Sequence, residues 1–155
     1  MTTVVPELKT GRSLVPTSVF DRLTARLAKD EQVNEKYAMR VMDQALAFIH
    51  TCAHSDLRLS PCNAVDLGWH TFILDTVEYE RFCARTFGFF VHHVPIADDD
   101  RLAHGVEARA AIERTVAEMR RVRFAVDDEL WKSAPGDCSQ CHNGCADSPA
   151  SPDQH

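Results

Sequence analysis

Residues 31–55 read EQVNEKYAMRVMDQALAFIHTCAHS, and their reading decides the fold class. Val33, Tyr37, Val41, Leu46, Phe48, Ile49 and Cys52 fill one broad apolar stripe of a helix. A stripe this wide predicts a long helix against the core of an all-α protein. The segments on either side continue the pattern. In PTSVFDRLTARLAKD, residues 16–30, Val19, Leu23 and Leu27 keep helical spacing behind Thr17 or Ser18 as cap.

Downstream, SPCNAVDLGWHTFIL (60–74) opens with Ser60-Pro61, a cap followed by proline at the first helical position. DTVEYERFCARTFG (75–88) places Asp75 and Glu78 at capping-box spacing and stops on Gly88. FFVHHV (89–94) is β-branched and aromatic, which predicts a short extended segment near 89–95. ADDDR (97–101) reads as an acidic turn without the spacing of a calcium loop. GVEARAAIERTVAEMRRVRF (105–124) is amphipathic, with Val106, Ile112, Val116, Met119 and Val122 as candidate core positions. A short helix in VDDELWKS (126–133) precedes the cysteine-rich tail. The expected architecture is a compact bundle of five or six helices over residues 16–133, an N-terminal arm at 1–15 and a partly disordered tail at 134–155.

The chain has 155 residues, 45% hydrophobic and 26% charged, with a formal net charge of −6. That composition is globular, and one domain of this length can bury a sizeable core. Its bases are dispersed except for RRVR at 120–123, which argues against a nucleic-acid footprint. No phosphate-cradling glycine motif and no embedded serine nucleophile is present. Uncharged runs are too short to span a bilayer, and residues 1–16 lack the order of a signal peptide, so no membrane and a cytoplasmic address are expected. In that compartment the six cysteines are expected as reduced thiols or ligands. Cys52, Cys62 and Cys83 sit among apolar residues and read as core. His50 and His54 lie near the end of the long helix, where its dipole favours a histidine.

Two constellations carry chemistry. Asp66 and His70 are four apart, hence on one helix face, and His92 and His93 follow after the next helix. Imidazoles with one carboxylate suit zinc, or iron or copper with open positions. Alternatively Asp66 orients an imidazole by hydrogen bonding. In an extended segment the two adjacent histidines diverge, so one of them joins His70 more easily than both. Trp69 points elsewhere, and Tyr79 is a nearby donor.

The block VDLGWHTFILDTVEYERFCARTFGFFVHHVP, residues 65–95, resembles the signature of the glycine-rich domain-containing protein-like family, in particular its bacterial members. The resemblance rests on Asp66, Trp69, His70, Ile73, Leu74, Asp75, Thr76, Tyr79, Cys83, Gly88, His92, His93 and Pro95. It implies that these residues form one pattern, and it implies no reaction. Where many members of that family have a second histidine, this chain has Phe72. Residues 70 and 72 stand about 200° apart on a helix.

The second constellation is CSQCHNGC, with Cys138, Cys141, Cys145 and His142. Two thiolates in C-x-x-C reach one ion from a tight turn, and Gly144 lets a third return, a pattern suited to structural zinc. His142 directly follows Cys141, so a fourth ligand from His104, Cys83 or water is an alternative. The string C-x-x-C-H also matches a haem attachment motif, but neither an export signal nor a nearby methionine ligand accompanies it.

Two readings of function follow. One is a metal-binding protein with a His/Asp cluster at 66–93 and a thiolate site at 138–145, extending to a metal-dependent enzyme acting on a peptide or small molecule. The other is a non-catalytic interaction module with a structural zinc clip.

Overall fold

Asn34 opens the central helix, its side chain accepting the Tyr37 N–H at 2.8 Å. From there α2 (Glu35–Ala53) buries Ala38, Val41, Met42, Ala45, Leu46, Ala47, Phe48 and Ile49, residues distributed around most of its circumference. A helix apolar on so many sides must be surrounded. It is: α1 (Thr17–Asp30), α3 (Asn63–Leu74), α5 (Gly105–Arg121) and a 3-10 helix (Gly11–Leu14) all pack on it. α4 (Thr76–Thr86) follows α3 after a single residue, and a last turn, α6 (Asp128–Trp131), sets Trp131 against Phe48 of α2. The structure is a computed structural model and describes residues 5–95, 97 and 104–132. The all-α expectation holds. No strand occurs among the described residues, where Lys9 and Phe124 form one isolated bridge and residues 89–95 are neither helix nor strand. Among the described residues no helix is long and apolar enough to cross a membrane. Cys138, Cys141, His142 and Cys145 lie outside the described residues, as does the acidic run at 98–101.

Small residues set the spacing between α2 and its neighbours. A Cβ on Gly68 of α3 would stand 2.8 Å from the Ala45 Cβ and 3.1 Å from Val41 Cγ1, so only glycine lets α3 lie this close. The C-terminal segment buries Phe124, Leu130 and Trp131 in the core and is also held by polar contacts. Buried Gln44 makes three of its four hydrogen bonds to it: Nε2 donates to the Ala125 carbonyl, and Oε1 accepts from the Asp127 N–H and from Trp131 Nε1, while the other Nε2 bond goes to Asp43 of α2. Arg40 donates two hydrogen bonds to the Asp127 carboxylate, which raises the arginine's pKa and lowers the aspartate's.

Several local expectations are displaced by tertiary contacts. Val106 is 82% exposed, because the inner face of α5 is phased on Ala108, Ala111, Ile112, Thr115 and Met119. Position 106 lies about 200° from position 108 on that helix. Asp75 makes no cap hydrogen bond and instead pairs with Arg22 at 2.8 Å. α3 begins at Asn63 rather than after Ser60, whose N–H is taken by Thr115 Oγ1 of α5.

His50 departs from the dipole reading. Its ring stacks on His54 at 4.3 Å and meets the edges of Phe87 and Phe124. Burial, reinforced by His54 and Lys9, pushes its pKa down to about 4, so desolvation outweighs the helix end and the ring stays neutral.

Two outcomes follow from this packing. Gly68→Ala should cost about 1–3 kcal/mol, the usual range for overpacking a tight core contact. A denaturant midpoint shifted down with an unchanged slope would show it. His50 has a folded pKa below its unfolded value near 6.5, so its contribution is complete above about pH 6.5 and lost as pH falls towards 4. Discounted for the ring's partial exposure, that loss is on the order of 1–2 kcal/mol. His50→Leu should flatten the fall in stability between pH 7 and pH 4 by that amount in parallel urea titrations.

Candidate metal centre

α3 presents Asp66 and His70 on its outer face, one turn apart, while Trp69 and Phe72 turn inward. Phe72 is fully buried against Tyr79 and Phe82, so the position next but one to His70 belongs to the core. The chain returns to this face through residues 91–93, and a hydrogen-bonded relay fixes that return. Trp69 Nε1 donates to the Tyr79 hydroxyl at 3.0 Å, and Tyr79 donates to the Val91 carbonyl at 2.5 Å. Burial raises the Tyr79 pKa, so the phenol keeps the proton that the bond to Val91 requires.

Two residues beyond that anchor, the His93 ring lies edge-on to Trp69 and reaches the α3 face. Its Nε2 is 2.8 Å from Asp66 Oδ1 and 3.0 Å from His70 Nε2, and His70 Nε2 is 3.5 Å from Asp66 Oδ2. Among the described residues these three form the one group of histidine, cysteine or acidic side chains able to share an ion. His92 goes elsewhere: exposed, it lies over Phe90 with ring centroids 4.8 Å apart. Tyr79 does not reach the trio and acts through Val91. Cys83 and Cys62 are buried in the core, and burial pushes the half-buried Cys52 thiol up to about 12.

The trio is over-supplied with acceptors. An imidazole nitrogen has a single in-plane direction, carrying either a lone pair or a proton. His93 Nε2 faces both a carboxylate oxygen and a second ring nitrogen, and one N–H can at best be shared between them. A cation among the three atoms would use all three lone pairs. Donors about 2.0–2.1 Å from a tetrahedral zinc stand about 3.3 Å apart, and neighbouring donors of an octahedral ion about 3.0 Å apart. The two ring nitrogens are 3.0 Å apart, and the Asp66 carboxylate offers Oδ1 at 2.8 Å from His93 and Oδ2 at 3.5 Å from His70, spacings of the same size.

Beside the trio is a cavity of about 650 Å³. Its walls come from α3, residues 57–61, residues 91–95 and the first half of α5, with Phe48 and Cys52 of α2 also lining it. Two stitches hold the 55–60 wall to α5. Thr115 Oγ1 accepts the Ser60 N–H and lies 3.0 Å from the Ser60 carbonyl, and Ser55 donates to Glu118. Sequence periodicity could not have found this wall, since each stitch joins residues at least 55 positions apart.

With the geometry in place, comparison with known proteins assigns the family. The profile of the UCP032817-like family matches residues 12–120. The chain belongs to that family. The resemblance of residues 65–95 to the glycine-rich domain-containing protein-like family is thereby corrected: it rested on two helices and a return segment, whereas the UCP032817-like match runs from the 3-10 helix through nearly all of α5. No significant match was found among curated proteins or solved structures.

Tyr79→Phe removes one acceptor and one donor at a buried position. It should cost about 1–3 kcal/mol, the penalty for leaving the Trp69 N–H and the Val91 carbonyl without their partner. Amide hydrogen exchange at residues 91–93 should accelerate relative to α2 if the relay holds the return segment.

Proposed function

We propose that Asp66, His70 and His93 hold one divalent metal ion and that the protein is a metal-dependent enzyme acting on a small molecule or peptide admitted to the adjoining cavity. The observation supporting this most strongly is the convergence of a ring nitrogen from His70, a ring nitrogen from His93 and the Asp66 carboxylate, 2.8–3.5 Å from one another. Two imidazoles and a carboxylate form a ligand set for zinc, and a facial set for iron with positions left for water or substrate. A bound divalent ion there would polarise a carbonyl or lower the pKa of its water.

A second zinc on Cys138, Cys141 and Cys145, with His142 or another donor, is proposed from their spacing alone. The rival reading, an interaction module whose polar residues only orient helices, has the Trp69–Tyr79–Val91 relay in its favour. It gives no role to His70, which is exposed and orients no helix.

Elemental analysis by plasma mass spectrometry tests this on full-length protein purified without a histidine tag or chelator. The intact chain should carry about two equivalents of metal per chain, and a chain truncated after Pro135 about one. His70→Ala should lose the equivalent that survives truncation. Metal content unchanged by His70→Ala would refute the centre, and loss of all metal on truncation would leave the tail as the sole site.

A further inference from the structure

The cavity next to the trio has two kinds of wall. Asp66, His70 and His93 supply polar groups, joined by Arg58, Asn63 and His104, while Phe48, Trp69 and Ile112, each nearly inaccessible to bulk water, supply apolar surface, with Trp69 directly against the His93 ring. A volume of about 650 Å³ falls in the range of small-molecule sites, which combine an apolar body with a few convergent polar groups.

Charge decides which head group fits. Two neutral imidazoles and one carboxylate leave a divalent ion with one net positive charge. A carboxylate supplies both the oxygen donor and the negative charge that such an ion attracts, and Arg58 in the same wall favours that sign too. The helix ends favour the same sign. α3 begins at Asn63 and α5 at Gly105, and Asn63 and the α5 cap residue His104 both line the cavity, which places the positive ends of two helix dipoles beside it.

We propose that the cavity binds an amphipathic monocarboxylic acid, its carboxylate on the metal held by Asp66, His70 and His93 and its hydrocarbon tail along Phe48, Trp69 and Ile112. This rests on the metal reading above and adds the class of ligand.

The test is isothermal titration of the full-length protein, loaded with zinc and dialysed free of excess, with acetate, butyrate, hexanoate and octanoate. Zinc content is measured on the same samples. Affinity should rise about two- to fourfold with each methylene, the increment expected for burying that group. Ile112→Thr should retain zinc and acetate binding while the increment per methylene shrinks. His70→Ala, lacking the metal, should lose the whole series. Zinc-loaded protein that binds no carboxylate, or binds all four equally, would overturn the ligand class and leave the metal centre standing. Octanoate binding undiminished in His70→Ala would also overturn it, since the tail would then bind without the metal. Absence of zinc from the 66–93 centre would sink the metal reading first, and this inference with it.

Discussion

Gly68 sits against Val41 and Ala45 of α2, and that contact sets how closely α3 lies on the central helix. With α3 held there, Trp69 and Phe72 are inserted between α2 and α4, and the opposite face carries Asp66 and His70 outward. The centre therefore depends on a residue that contributes no side chain. Any Cβ at position 68 would push α3 away from α2, and Trp69, which anchors the relay to Tyr79, would move with it.

The relay solves a second problem. Residues 89–95 make neither helix nor strand, so the ladder hydrogen bonds that normally hold a backbone are missing there. Tyr79 supplies one fixed point, at the Val91 carbonyl, and the edge-on contact of His93 with Trp69 supplies another. Both trace back to Trp69, which thus couples the position of α3 to the position of the returning histidine. The polar groups of this arrangement fall into two kinds. Those of Trp69, Tyr79 and Val91 satisfy one another, while Asp66, His70 and His93 bring two ring nitrogens and a carboxylate together at the surface.

Much of this was legible in the residue pattern. The apolar stripe of 31–55, the helical spacing of 16–30 and the i, i+4 placement of Asp66 and His70 each follow from one local period. The divergence of adjacent histidines is also local, and His93 and His92 do face different neighbours. What local rules missed were positions where a distant partner outbids a nearby one. Asp75 has capping-box spacing but finds Arg22, 53 residues away. Ser60 is a good cap but its N–H goes to Thr115, and the valine at 106 is left outside because the α5 face is phased by what α2 presents. The family resemblance drawn from residues 65–95 failed for a related reason: a helix pair with a return segment is a small part of the match that places the chain in the UCP032817-like family.

The sequence by itself determined that the chain is helical, that residues 31–55 carry a long helix packed on the core and that Asp66 and His70 share a face, because each depends on spacing within one helix. Only the tertiary structure decided which histidine of the pair meets them, that Tyr79 works by anchoring a backbone carbonyl, and that a cavity opens beside the trio. Those features join residues separated by 12 to 63 positions, and no periodicity encodes such a separation. They arise when the helices pack to bury their apolar faces and the remaining polar groups must find partners wherever that packing has brought them.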